Sequence, residues 1–150
     1  MRFHHRLEAH KLAEKILQHV NERLTQRGLL LKAGTAVDAT LIAAPTSTKN
    51  KDKTRDREMH LSKKGNPWYF GMKAHIGVDA GSGLVHTVRG TAGHVADVTK
   101  GNSLLHGQES VVYADAGYQG AERRADAKPE VSVFESREIA LNEQKGANAL

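Results

Sequence analysis

Apolar residues recur at three- and four-residue steps along residues 7–27, where Leu12, Ala13, Ile16, Leu17, Val20 and Leu24 would share one face of a helix. Gly28 follows, with Arg23 and Arg27 in the last turn, so the helix is expected to stop there. The period then changes. "TAVDATLIAAP" at 35–45 is short, almost wholly apolar and closed by Pro45, a pattern that predicts a strand buried on both faces. Two β-rich runs at 68–92 flank "DAGSG" at 79–83, strong turn chemistry that predicts a hairpin. "DVTKGNSLLHG" at 97–107 predicts a short helix with Asp97 or Thr99 as its cap and Leu104 and Leu105 facing inward. "SVVYAD" at 110–115 reads as another buried strand and "AERRADA" after it as a helical turn. Strand, hairpin, helix, strand and helix make a mixed α/β arrangement. Residues 46–67 between them form a long polar connection.

Charge sharpens this picture. Of 150 residues, 22 are Lys or Arg and 17 are Asp or Glu, a net charge of +5. Residues 49–73 carry eight of those cations (Lys49, Lys51, Lys53, Arg55, Arg57, Lys63, Lys64 and Lys73) against three acids, so the whole surplus sits in one segment. Clustered rather than spread, it points to a polyanion such as nucleic acid. The segment leads into Trp68, Tyr69 and Phe70, aromatics that either stack on an unpaired base or belong to the core of the following strand. Cysteine is absent, which excludes disulfides, Fe–S clusters and thiolate zinc sites. The opening "MRFHHRLEAH" lacks an apolar run of signal-peptide length and nothing later approaches a membrane span, so a cytoplasmic chain is expected.

Asp38 and Asp115 are each the only carboxylate in an apolar, strand-like run. An unpaired buried carboxylate is costly. Two readings fit: the acids jointly hold a hard divalent cation, or each caps a turn. The nine histidines form no pair-plus-pair ligand pattern and read as surface or core residues. Neither a P-loop nor a nucleophile elbow occurs, and no small-molecule substrate is expected.

"VDATLIAAPTSTKN", "GNPWYFGMKAHIGVDAGSGL" and "ADAGYQG" together resemble the DDE transposases of bacterial insertion sequences, in particular the insertion sequence 5 group, over about Arg2 to Val133. The resemblance implies an incomplete RNase H-like mixed sheet of the α/β class, preceded by one helix from an N-terminal helical region. It implies boundaries at 1–30 for that helix, 31–134 for the partial catalytic domain and 135–150 for a divergent, disordered tail. It makes Asp38 and Asp115 two of three metal-holding catalytic acids on adjacent parallel strands, with Mg²⁺ or Mn²⁺ as cofactor. DNA is the implied partner, met by Lys49, Lys51, Lys53, Arg55, Arg57, Lys63, Lys64, Trp68, Lys73 and His75, and an intact transposase protomer is a second one. Family members carry a further acid near Asp97, usually after His; here Ala96 precedes it, and its role stays open. The family's third catalytic acid lies in a pattern of Tyr, two residues, Arg, three residues, Glu, six residues, Lys, and no stretch after Tyr118 matches it. Glu135, Glu138 and Glu143 stand in a polar segment without a helix-packing pattern and are not expected to replace it. The resemblance therefore implies a truncated or frameshifted copy without its full catalytic set.

Overall fold

The computed structural model describes residues 3–30, 32–46, 54–127 and 134–136. Lys49, Lys51, Lys53, Glu138 and Glu143 lie outside the described residues, as does the expected tail from 137 onward.

Two helices replace the single one expected over 7–27: α1 (Phe3–Ala9) and α2 (Leu12–Gln26). Lys11, at φ 50° and ψ 39°, breaks the ladder between them. The C-terminus follows the sequence reading. Gly28 takes φ 68°, its N–H reaches Thr25 O at 3.0 Å, and Leu29 N–H reaches Leu24 O at 2.9 Å, a paired closure that satisfies the last carbonyls. Leu12, Leu17 and Leu24 are half-buried, whereas Ile16 and Val20 from the same stripe are exposed.

Six strands form one mixed sheet, in the order β2 (His60–Lys63), β3 (Trp68–Asp79), β1 (Gly34–Ala43), β5 (Val111–Ala114), β6 (Phe134–Ser136), with β4 (Val85–Ala92) also on β3. β1 and β3 are antiparallel from Thr35 opposite Asp79 to Ala43 opposite Gly71. β5 is parallel to β1, and β6 is parallel to β5. The order is compatible with an incomplete RNase H-like fold. β1 is not buried on both faces: Thr35 and Val37 are buried, while Asp38, Thr40 and Ile42 are exposed, because among the described residues only one face of this strand is covered.

The β3–β4 hairpin forms where the turn chemistry put it. Asp79 is buried, its Oδ1 accepting from Gly81 N–H at 3.0 Å and its Oδ2 from Lys32 N–H at 3.2 Å, and Gly83 supplies a φ of 74°. β2 arises inside the connection expected to be irregular. It pairs with the first residues of β3, Lys63 opposite Trp68 and His60 opposite Gly71, because β3 starts before its contact with β4 begins and so leaves that edge open.

The helix expected at 97–107 is instead two 3₁₀ turns, Asp97–Thr99 and Gly101–Leu104. Asp97 is the first residue of its turn and Ala96 holds the cap position, so no side chain caps it; one Asp97 oxygen meets Lys73 Nζ at 2.8 Å. The chain there presses close to its neighbours: a Cβ on Gly101 would sit 3.1 Å from the Tyr118 ring, and one on Gly77 would meet Leu104 O at 2.5 Å. These turns lay Leu104 and Leu105 over the sheet, where they join Val37, Val112, Ala114 and Tyr118 in the core. Two further 3₁₀ turns, Ala116–Tyr118 and Ala121–Arg123, follow β5.

Candidate active site

Register brings the two sequence-predicted acids together. Ala36 on β1 pairs with Tyr113 on β5, so Asp38 and Asp115 come two residues later on each of two neighbouring parallel segments. Neither is buried: both are exposed. Asp38 Oδ1 accepts from the N–H of Ala39 at 2.7 Å. Asp115 Oδ1 accepts from Gly117 N–H at 2.9 Å and so caps the turn Ala116–Tyr118. The capping role weighed in the sequence is thus present at Asp115, and it leaves the other carboxylate oxygen of each acid without a hydrogen bond among the described residues.

Asp97 joins them. A Cβ placed on Gly117 would lie 3.0 Å from Asp115 Oδ1 and 3.6 Å from Asp97 Oδ2, so both carboxylates border the space that this glycine leaves open. The other Asp97 oxygen receives the Lys73 ammonium, which also donates to Val95 O at 2.9 Å. Tyr118 lies beneath, 1% exposed, with its hydroxyl unpartnered among the described residues. Burial, and after it the charges of Asp97, Asp38 and Asp115, push the phenol well above its usual range.

The residues expected to face DNA divide. Arg57, Lys63, Lys64 and Trp68 are exposed, and Trp68 retains 65% of its surface, so its ring is not core. Phe70 is buried, and Arg55 lies 5.6 Å over its ring while donating to Thr46 O at 3.2 Å. Lys73 is committed to Asp97. His75 is a correction: expected to meet DNA, it is fully buried because its side chain points to the covered face of β3, with Nε2 2.8 Å from Thr91 Oγ1. Its Nδ1 stands 3.9 Å from Asp97 Oδ1 without a hydrogen bond. Burial first, against the opposing pull of Asp97, lowers the His75 pKa and keeps the ring neutral.

Sequence reasoning missed Tyr118 and left Asp97 open. The spacing in "DAGY" held a signal for the first, since it puts Tyr118 on the turn that Asp115 caps. A groove of about 690 Å³ between α2 and β4 has Asn21, Lys32, His86, Arg89 and His106 in its lining and none of the three aspartates.

Residues 30–141 match the family described as the transposase DDE domain. The chain belongs to that family. No solved structure matches it. Membership of the transposase DDE domain family carries a role in transposition, by enzymes that cleave and transfer DNA and use divalent metal ions. Asp38 and Asp115 fit such an ion in kind, being exposed carboxylates with hard oxygen donors. Among the described residues no three His, Cys, Asp or Glu side chains form a group that could hold one. Among them, too, no helix is long and apolar enough to cross a membrane.

Proposed function

We propose that this chain is the catalytic portion, residues 31–134, of an insertion sequence 5-type transposase, acting on DNA at the element's ends in the bacterial cytoplasm, and that as given it is catalytically incomplete. The support is the matched register of Asp38 and Asp115 on adjacent parallel segments within a chain of this family. Those two acids would hold Mg²⁺ or Mn²⁺, which when bound supplies Lewis acidity for nucleophilic attack at a phosphate and for the leaving oxygen. The chain's own residues do the rest. Lys49, Lys51, Lys53, Arg55, Arg57, Lys63 and Lys64 grip the backbone, the exposed Trp68 offers a face to an unpaired base, and Lys73 holds Asp97 in place.

Incompleteness rests on the lack of a Tyr-Arg-Glu-Lys pattern after Tyr118 in these 150 residues. Supercoiled plasmid with Mg²⁺ or Mn²⁺ is the test. The chain alone is expected to nick at background rate, and to slow an intact transposase protomer when the two are mixed. Nicking by the chain alone that disappears in Asp38→Asn and Asp115→Asn would show a complete site and overturn incompleteness.

A DNA-binding fragment without catalysis is the second reading, favoured by the charge surplus at 49–73. Both readings predict steep salt dependence of DNA affinity. Replacing Lys49, Lys51, Lys53, Lys63 and Lys64 by Gln should flatten the log–log slope by roughly 0.9 for each lysine that sits on a phosphate. A slope unchanged in a filter-binding titration would remove the segment from the interface.

A further inference from the structure

α2 meets the sheet with its polar side. Ile16 and Val20, at the centre of its apolar stripe, keep 56% and 46% of their surface exposed, and no side chain of the helix is buried. Glu14, Gln18, Asn21 and Thr25 instead wall the groove toward β4. Most helical stability in a protein comes from an apolar face packed on a core, and a free helix of 15 residues is marginal in water. Among the described residues, one hydrogen bond joins α2 to the sheet: Asn21 Nδ2 donates to His86 O at 2.7 Å. Opposite the helix lies an open strand edge, because among the described residues β4 pairs with β3 alone. Gly93 N–H donates to Gly71 O at 3.1 Å, so Gly71 and every second residue of β3 after it turn toward β4. Their partners Thr91, Arg89 and Thr87 bond to them, and Val88 and Gly90 in between hold their N–H and C=O outward. Such an edge is a template for a further strand. α2 lies over its first half, where Thr87, Val88 and Arg89 share the groove with the helix.

We propose that α2 is a releasable strap, which blunts the open edge of β4 while Asn21 latches it to His86 and swings away about Gly28 without unfolding the sheet. The pivot is well placed. Gly28 takes φ 68° with open space where a side chain would stand, and just beyond it the chain is anchored by buried Leu30 and by Lys32 N–H on Asp79 Oδ2 at 3.2 Å. Release breaks the one hydrogen bond to His86 and exposes Leu12, Leu17 and Leu24, which are only half-buried to begin with. The core of Val37, Leu104, Leu105, Val112, Ala114 and Tyr118 includes no residue of α2, so it stays closed when the strap opens.

Amide hydrogen exchange of the whole chain at pH 7, resolved residue by residue, tests this. Protection from Ile16 to Val20 is expected to be about 100-fold or more below that of the β1–β3 ladder, since a released helix unwinds while the sheet persists. Asn21→Asp keeps the shape of the side chain and nearly the same helix propensity, but sets a carboxylate oxygen against His86 O in place of the donor. It should speed exchange from Ile16 to Val20 by about 10-fold and leave the β1–β3 ladder unchanged. If α2 in the parent is as protected as that ladder, the helix opens only with the whole fold and the strap is wrong. Equal acceleration of α2 and the ladder in Asn21→Asp would show that the bond supports the sheet instead, and α2 exchanging at the parental rate would show that Asn21 is no latch; each result overturns the proposal.

Discussion

Glu109→Ala is expected to destabilise the fold by about 3 kcal/mol or more, lowering the melting temperature by about 10 °C in a chain of this length. Glu109 is 3% exposed and is the acceptor on which one corner of the domain closes. Its carboxylate takes the N–H groups of His106 and Gly107 and, at 3.1 Å, the Thr35 hydroxyl. Thr35 Oγ1 in turn lies 3.1 Å from His86 Nε2, and His86 O accepts from Asn21 of α2 at 2.7 Å. One carboxylate therefore ties the loop before β5 to β1 and, through His86, to β4 and the N-terminal helix. Removing it leaves buried donors without an acceptor, each a loss of about 1–3 kcal/mol. Melting within a degree of the parent would show that water replaces the carboxylate.

The same residue makes the fold sensitive to acid. Burial alone would raise the Glu109 pKa, but the backbone N–H groups of Glu109, His106 and Gly107, with the nearby His106, outweigh it and hold the pKa below the usual carboxylate range. A lowered carboxylate contributes its stability fully above the unfolded value, about 4.3, and loses it as pH falls through the folded value. His75 and His86 act earlier. Burial lowers both, with His106 adding to the effect at His86, so the unfolded chain takes up protons below about 6.5 that the fold refuses. Urea midpoints should thus fall from pH 7 to 5.5 through the histidines and further below about pH 4.3 through Glu109. Glu109→Gln should remove only the lower part of that decline.

Legibility in the sequence followed the range of the forces involved. The end of α2 at Gly28, the hairpin at Asp79–Gly83 and the strand at 111–114 were readable because local turn chemistry and short apolar runs determine them. The pairing of Asp38 with Asp115 was supposable from two lone acids in apolar runs, but their adjacency came from family resemblance, since spacing carries no register. β2 was invisible for a tertiary reason: "HLSK" has little strand character, and it pairs only because β3 begins before β4 meets it. The break at Lys11 uses a positive φ at a residue that does not advertise one. At 97–107 the expected cap is not used: Asp97 falls inside the first turn, Ala96 takes the cap position, and the Asp97 carboxylate meets a lysine 24 positions upstream. His75 illustrates the same limit, since which face of β3 is covered decides whether a histidine meets solvent or core.

Leu104→Ala is expected to cost about 2–5 kcal/mol, a large share of the stability of a domain this small. Leu104 has no exposed surface and sits in the cluster with Val37, Leu105, Val112, Ala114 and Tyr118. It stands at the end of a 3₁₀ turn rather than in a long helix, so few neighbouring backbone bonds can help the site collapse around the cavity. The loss should reach the acidic site as well. Tyr118, on which the Asp115 turn is seated, belongs to the same cluster, and the turn at Asp97 immediately precedes the one that ends at Leu104. Leu104→Ala should therefore lower the melting temperature and weaken Mn²⁺ binding together, whereas Asp38→Asn, on an exposed side chain, should abolish Mn²⁺ binding while leaving the melting temperature nearly unchanged. Thermal unfolding and metal titration on the two variants separate these outcomes. Full Mn²⁺ affinity in a destabilised Leu104→Ala would show that the site is anchored by the sheet alone, without the packing beneath Tyr118.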